Sequence, residues 1–347
     1  METVIRFQTR SSLVLLVAIL FVFTGLAAGS RNEAVLDWLN PDRRLPLEAD
    51  QIPRLADKGA FVDVGSRVFL NDIPRSDFSG GAVSLFGAST LASAVRVDLL
   101  PDVYRRYTHN WGIPAVSFWN ESQLLHYLID YEGLLEAGGE KNLVIFFIDY
   151  ANATRSLYFK GLFRYGVYRW EPEGGLYPTP EFALVRAYIR EHARATNLLN
   201  TIWRKYTRPS RRKQRREVTS ELVAEYQAAA HEIMSTGGED WEAEMDVQVG
   251  VLEDMLDLLR SRDVRVMAVL MPAASWYQEM DYLPALRRRL EPLFDEKGVD
   301  LFDWSHLLPD EDFSDHAHYM SSGSKVLTEK VRALIDDHVR MLAREAG

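Results

Sequence analysis

Cysteine is missing from all 347 residues. That absence excludes disulfides, thiolate metal sites and a cysteine nucleophile, and it leaves the compartment to be read from elsewhere. A surplus of positive charge is missing as well: 40 Lys and Arg stand against 50 Asp and Glu, giving a formal charge of −10. General nucleic-acid binding is disfavoured, because phosphate recognition needs a net basic face. Internal repeats and low-complexity tracts are absent too.

Long apolar runs are scarce, which makes LVLLVAILFVFTGLAA at residues 13 to 28 conspicuous. Arg6 and Arg10 precede it and no acid follows Glu2 before it, the pattern of an export signal. Its 16 residues reach about 24 Å as a helix, near the lower limit for a hydrocarbon core of about 30 Å. Ser11, Ser12 and local thinning would have to help. We read residues 1 to 30 as a retained signal anchor, with cleavage at Ala27-Ala28-Gly29 as the alternative. Either way, arginines on the N-terminal side put residues 31 to 347 outside the cytoplasm, in the periplasm or its equivalent.

Residues 31 to 75 are mixed and contain prolines, and they read as a stalk or peripheral cap. An organised domain is expected over 76 to 347. Its first half alternates apolar and helical segments: strand 83 to 87, helix 90 to 107, strand 114 to 119, helix 121 to 137, strand 143 to 148. A second set follows, with helix 247 to 262, strand 264 to 272, helix 283 to 298 and strand 299 to 304. Short apolar strands between amphipathic helices predict an α/β chain, three layers deep, with a mainly parallel sheet. Residues 150 to 246 break this rhythm and read as an insertion over one end of the sheet. The insertion holds aromatics at Tyr158, Phe159, Phe163, Tyr165, Tyr168 and Trp170, and helices around 181 to 206 and 217 to 235.

Chemistry gathers beyond the carboxyl ends of parallel strands. VSLFGAST places Ser89 there, on a turn where Gly87 and Ala88 allow close backbone approach. This geometry suits a nucleophile and equally suits a serine capping the next helix. Near the C-terminus, DFSDHAH sets Asp315 three residues before His318. A serine hydroxyl needs an imidazole to take its proton and an acid to orient that imidazole, and Asp-x-x-His offers both from one turn.

The strand-turn GAST, the order Ser…Asp-x-x-His and the tail Phe313, Asp315, His318, Gly323, Leu327 resemble the SGNH/GDSL hydrolase superfamily. With the exported anchor and DFSGGAVSLFGAST, the chain looks most like the DltD-like branch, akin to alginate-acetylation proteins. The resemblance covers roughly residues 76 to 150 and 247 to 340. It implies a flavodoxin-like three-layer fold, Ser89 as nucleophile, His318 as general base and Asp315 as its orienting acid. It also implies a membrane-bound O-acyltransferase as partner and a cell-envelope polysaccharide or teichoic-acid-like polymer as acceptor, with no cofactor. Where the superfamily carries Asp before its serine, this chain has Ala88. Where it carries an oxyanion glycine and then Gly-x-Asn-Asp, this chain reads Trp119-Asn120-Glu121-Ser122 and Asp149-Tyr150-Ala151-Asn152. Asn152 and Asn120 are therefore the candidate oxyanion donors, each also readable as a loop or capping asparagine.

Three rival readings accompany this one. Asp315, His316 and His318 could form a metal cluster if His306 or Asp303 joined them. Residues 204 to 216 hold eight Lys or Arg in thirteen positions, either a solvated loop or a surface for anionic headgroups or polymer. A non-catalytic accessory that docks an acyltransferase or polymer through the insertion is the alternative to an enzyme, and a simple carboxylesterase is the alternative to a transferase.

Overall fold

Leu143–Ile148 (β3) is apolar at all six positions and every one is buried, as a strand covered on both faces requires. It pairs in parallel with Val83–Gly87 (β1) on one side and Arg265–Leu270 (β6) on the other. Thr108–Asn110 (β2) and Asp300–Asp303 (β7) close the edges, giving the order β2-β1-β3-β6-β7, all parallel. A hairpin of Tyr168–Glu171 (β4) and Gly175–Pro178 (β5) stands apart. These relations come from a computed structural model that describes residues 2 to 39, 67 to 153, 168 to 171, 175 to 179, 183 to 207, 217 to 235 and 240 to 345.

Two groups of helices sandwich the sheet, so the expected three-layer α/β/α architecture is present. The helices Phe118–Glu132 (α5), Trp241–Arg260 (α8) and Tyr282–Lys297 (α10) pack side by side. Ser89–Ala94 (α3) packs against the last helix, Ser321–Glu345 (α11). Gly298 ends α10 in the left-handed conformation that glycine adopts without penalty.

Two segments depart from the sequence pattern. The helix expected over 90 to 107 stops at Ala94, because Asn110 Nδ2 donates to the carbonyls of Leu91 and Val95 and the Arg96 N–H is taken by Thr328. The chain then turns through Asp102–Arg105 (α4). The strand expected over 114 to 119 does not form, and the edge strand is β2 instead. Pro114 lacks the N–H a ladder needs, Ala115 takes a left-handed φ of 57°, and α5 already begins at Phe118.

Before the domain, Glu2–Gly29 (α1) and Glu33–Leu39 (α2) are helical. Ser12–Gly29 is long and apolar enough to cross a membrane or to act as a signal sequence, and only 6% of it is buried. Residues 40 to 66 of the expected stalk lie outside the described residues, but the segment after them is no peripheral cap. Val68, Phe69, Leu70 and Ile73 belong to the main core. Within the insertion, Ala183–Thr207 (α6) packs on α1 and α2. Ser220–Ser235 (α7) reaches the short helix Ser275–Gln278 (α9). Tyr168 is buried against Phe69 and Tyr127. Tyr158, Phe159, Phe163 and Tyr165 lie outside the described residues, as do residues 208 to 216 of the basic run.

Gly87 joins β1 to α3, and a Cβ there would sit 2.8 Å from the Phe147 carbonyl oxygen and 2.9 Å from Leu91 Cβ. Gly87→Ala is therefore expected to cost about 1–3 kcal/mol, read as a lower denaturant midpoint for the full chain in detergent. An unchanged midpoint would show that the strand-to-helix turn has room to spare.

Candidate active site

The strand order places β1 and β3 at the point where the connections change direction, and crevices for ligands open there at the carboxyl ends of the strands. Ser89 is the first residue of α3, directly past the end of β1. The N-cap is Ala88, and no side-chain cap bond forms there. The capping role open to Ser89 is thus not the one it takes. Its hydroxyl makes no hydrogen bond among the described residues and lines a pocket of about 670 Å³, open mouth included.

His318 lines the same pocket. It comes from the turn between β7 and α11, and Asp315 holds it in place. Asp315 Oδ1 lies 2.9 Å from His318 Nδ1 and accepts the backbone N–H of His318 at 2.9 Å and of Ala317 at 3.1 Å. Burial opposes a charge on Asp315, but the hydrogen bonds and electrostatic attraction from His318 and the backbone N–H groups of His318 and Ala317 prevail and hold the carboxyl well below the usual range. With Nδ1 tied to the acid, Nε2 is left buried without a hydrogen-bond partner among the described residues. The structure therefore brings Ser89 and His318 to one pocket, with Asp315 orienting the imidazole through Nδ1 and its second nitrogen unspent.

Neither Asn120 nor Asn152 is placed to act as an oxyanion donor from its side chain. Asn120 is fully buried in the first turn of α5, where its Oδ1 accepts the Ser117 N–H at 3.1 Å. Asn152 is equally buried; its Oδ1 accepts the Asp149 N–H at 2.8 Å and its Nδ2 donates to Glu121 at 2.6 Å. Neither lines the pocket. Ala115, Val116 and Ser117 line the pocket as well, with Ala115 left-handed. Unbonded first-turn N–H groups of a helix are general hydrogen-bond donors, and the Ser89 N–H is one of these.

A residue that sequence reasoning noted without assigning a role stands at the centre. Asp149, the first residue past β3, lines the pocket and accepts from the Thr90 hydroxyl and the N–H groups of Ala151 and Asn152. Burial raises its carboxyl against those bonds and against the nearby His318. Glu121 behind it is pushed well above the ordinary carboxylate range by burial and then by the charge of Asp149, with the Asn152 bond opposing. The signal was a carboxylate directly following a wholly apolar strand, since an acid drawn inside by such a strand has to be paired.

An apolar cavity shares Thr90, Asp149, Tyr150 and Ala317 with the pocket and continues between Met271, Met280 and Phe313. The insertion supplies Ile233 of α7 to the pocket wall, and Tyr226 of the same helix packs on Trp276 and His316. Among the described residues no three His, Asp or Glu side chains converge as a metal site. Asp303 is occupied by Arg287 and the Ser305 N–H, and His306 is exposed.

No protein-family model matches the chain, and no curated protein matches its sequence.

Because folding holds a proton on Glu121 that the unfolded chain releases above about pH 4.3, this group lowers stability progressively as pH rises. Glu121→Gln keeps the oxygen that accepts from Asn152 and has no proton to lose. Its denaturant midpoint relative to wild type is expected to rise between pH 5 and pH 8. A constant difference would mean that Glu121 is ionised in the folded protein.

Proposed function

We propose that this chain is a membrane-anchored serine acyltransferase or esterase of SGNH type. It would act outside the cytoplasm on O-acyl groups of a cell-envelope polymer, beside a membrane-bound O-acyltransferase. The observation that carries the reading is the Asp315–His318 pair, which leaves Nε2 unpartnered at the pocket that Ser89 lines. The resemblance in the GAST turn and the C-terminal tail adds the acyl chemistry and the envelope setting. The apolar helix at the N-terminus fits an anchor.

In this reading Ser89 Oγ attacks the carbonyl carbon of an ester or thioester while His318 Nε2 takes the hydroxyl proton. Asp315 fixes the tautomer and stabilises the imidazolium. The tetrahedral oxyanion meets the Ser89 N–H at the first turn of α3. Its collapse expels the alcohol or thiol, which receives the proton from His318 and leaves an acyl-serine. A polymer hydroxyl or water then repeats the attack with His318 again as base. In serine–histidine sites the bond between hydroxyl and imidazole often tightens only in the substrate complex, and here His318 Nε2 has no other partner among the described residues. The adjoining apolar cavity offers a short acyl group a dry place beside Thr90.

A fluorophosphonate probe tests this directly on the full chain in detergent. An adduct on the Ser89 peptide is expected, with labelling lost in Ser89→Ala and His318→Ala and slowed by roughly 10²–10⁴-fold in Asp315→Asn. Folded wild type that takes no label, with or without its native membranes, would overturn the assignment. In that case, envelope acylation that survives Ser89→Ala would mark the chain as a docking accessory.

A further inference from the structure

The helix α6 carries large apolar side chains that the fold leaves exposed toward both of its ends. Leu184, Val185, Tyr188, Leu199, Trp203 and Tyr206 are all exposed, Trp203 and Tyr206 at 69% and Leu184 at 86%. At about 100° per residue these six fall within an arc of roughly 100°, as two exposed patches of one face, 184 to 188 and 199 to 206, on either side of the buried Ala195 and the His192 on which Phe23 stacks. Large apolar side chains gathered on one exposed face mark an interaction surface.

The position of α6 identifies the partner. Phe23 of α1 stacks on His192 at 4.8 Å, and Gly29 and Leu36 meet Leu198. Phe23 and Gly29 lie in the last two turns of the apolar span Ser12–Gly29, within about 9 Å of its end. Whatever surrounds the end of that span also surrounds α6. The charge agrees: with Arg194 buried on Leu70 and Glu191, α6 still carries Arg186, Arg190, Arg204 and Lys205 and no further acid, in a chain whose net charge is −10. At its end, Lys205 lies 4.5 Å over the ring of Trp38, itself 48% exposed, and Tyr206 packs at 6.3 Å from the same ring. Trp and Tyr beside Lys and Arg are the side chains that settle at the headgroup level of a bilayer.

We propose that α6 is an interfacial helix, resting its Tyr188–Trp203–Tyr206 face in the outer boundary of an anionic lipid bilayer beside α1. This rests on the anchor in the preceding reading. The consequence is a fixed orientation. The insertion that walls the pocket through α7 is held at the membrane surface, where a membrane-embedded donor would present its acyl group.

The absence of cysteine makes the test clean, since any introduced cysteine is the sole label site. Spin labels are placed singly at positions 188, 203 and 206, at 20 within the span, and at the exposed valines 247 and 339 on α8 and α11. The full chain is reconstituted into vesicles of phosphatidylcholine with a minority of phosphatidylglycerol. The ratio of collision with oxygen to collision with a water-soluble nickel chelate is expected to be several-fold higher at 188, 203 and 206 than at 247 and 339. Water-like ratios at all three, with position 20 in lipid, would overturn the interfacial helix and leave the anchor standing. A water-like ratio at position 20 would overturn both. Dipolar broadening at 203 and 206 would assign the face to a second copy of the chain and overturn the lipid assignment.

Discussion

Asp149 is the tie on which the pocket depends. Its side chain receives the Thr90 hydroxyl from the turn after β1, and its own N–H is held by Asn152, which reaches Glu121 in α5. Three segments far apart in sequence are thereby locked to one another at the ends of two adjacent strands. A buried polar network of this kind is stable only when its members are satisfied, and breaking one bond strands the others in a low-dielectric interior. Ser89 inherits its position from Thr90, its neighbour, rather than from any bond of its own.

The acids around the pocket differ in charge state because their surroundings differ. Asp315 is surrounded by donors from His318 and Ala317 and stays ionised despite burial. Glu121 has one neutral donor and a carboxylate neighbour, and burial keeps its proton on. Such a split is how neighbouring carboxyls come to serve separate ends. One fixes an imidazole; the other, its carboxyl pushed up by burial, accepts the Asn152 amide behind Asp149.

The insertion changes what an otherwise plain parallel sheet can do. It departs after β3 and returns before β6, adjacent strands at the middle of the sheet. One of its helices walls the pocket and another braces the N-terminal helix. A single excursion of the chain therefore connects the candidate chemistry to the segment most apolar in the whole sequence.

Much of this was legible in the residues themselves. The parallel sheet followed from short apolar runs such as LVIFFI, since a strand with no polar face needs cover on both sides. Ser89 and the Asp315–His318 pair were legible because glycine before serine and a spacing of three within a turn are local signals. The edge strand was misplaced because Pro114 and Ala115 break a pattern that periodicity alone reads as continuous, and the helix after Ser89 was overextended because Asn110 removes its last carbonyls from a distance of many residues. Of the two asparagines read as oxyanion candidates, Asn152 turned out to have its amide spent on Asp149 and Glu121, and both are buried away from the pocket lining, a placement that only folding decides. What the sequence determined by itself was the fold class, the apolar N-terminal helix and the local pieces of a site, because periodicity and short spacings act within a few residues. Only the tertiary structure decided that those pieces meet in one pocket, that Asp149 holds it together and that α6 lies against the end of the apolar span, because each depends on contacts between segments 30 to 230 residues apart.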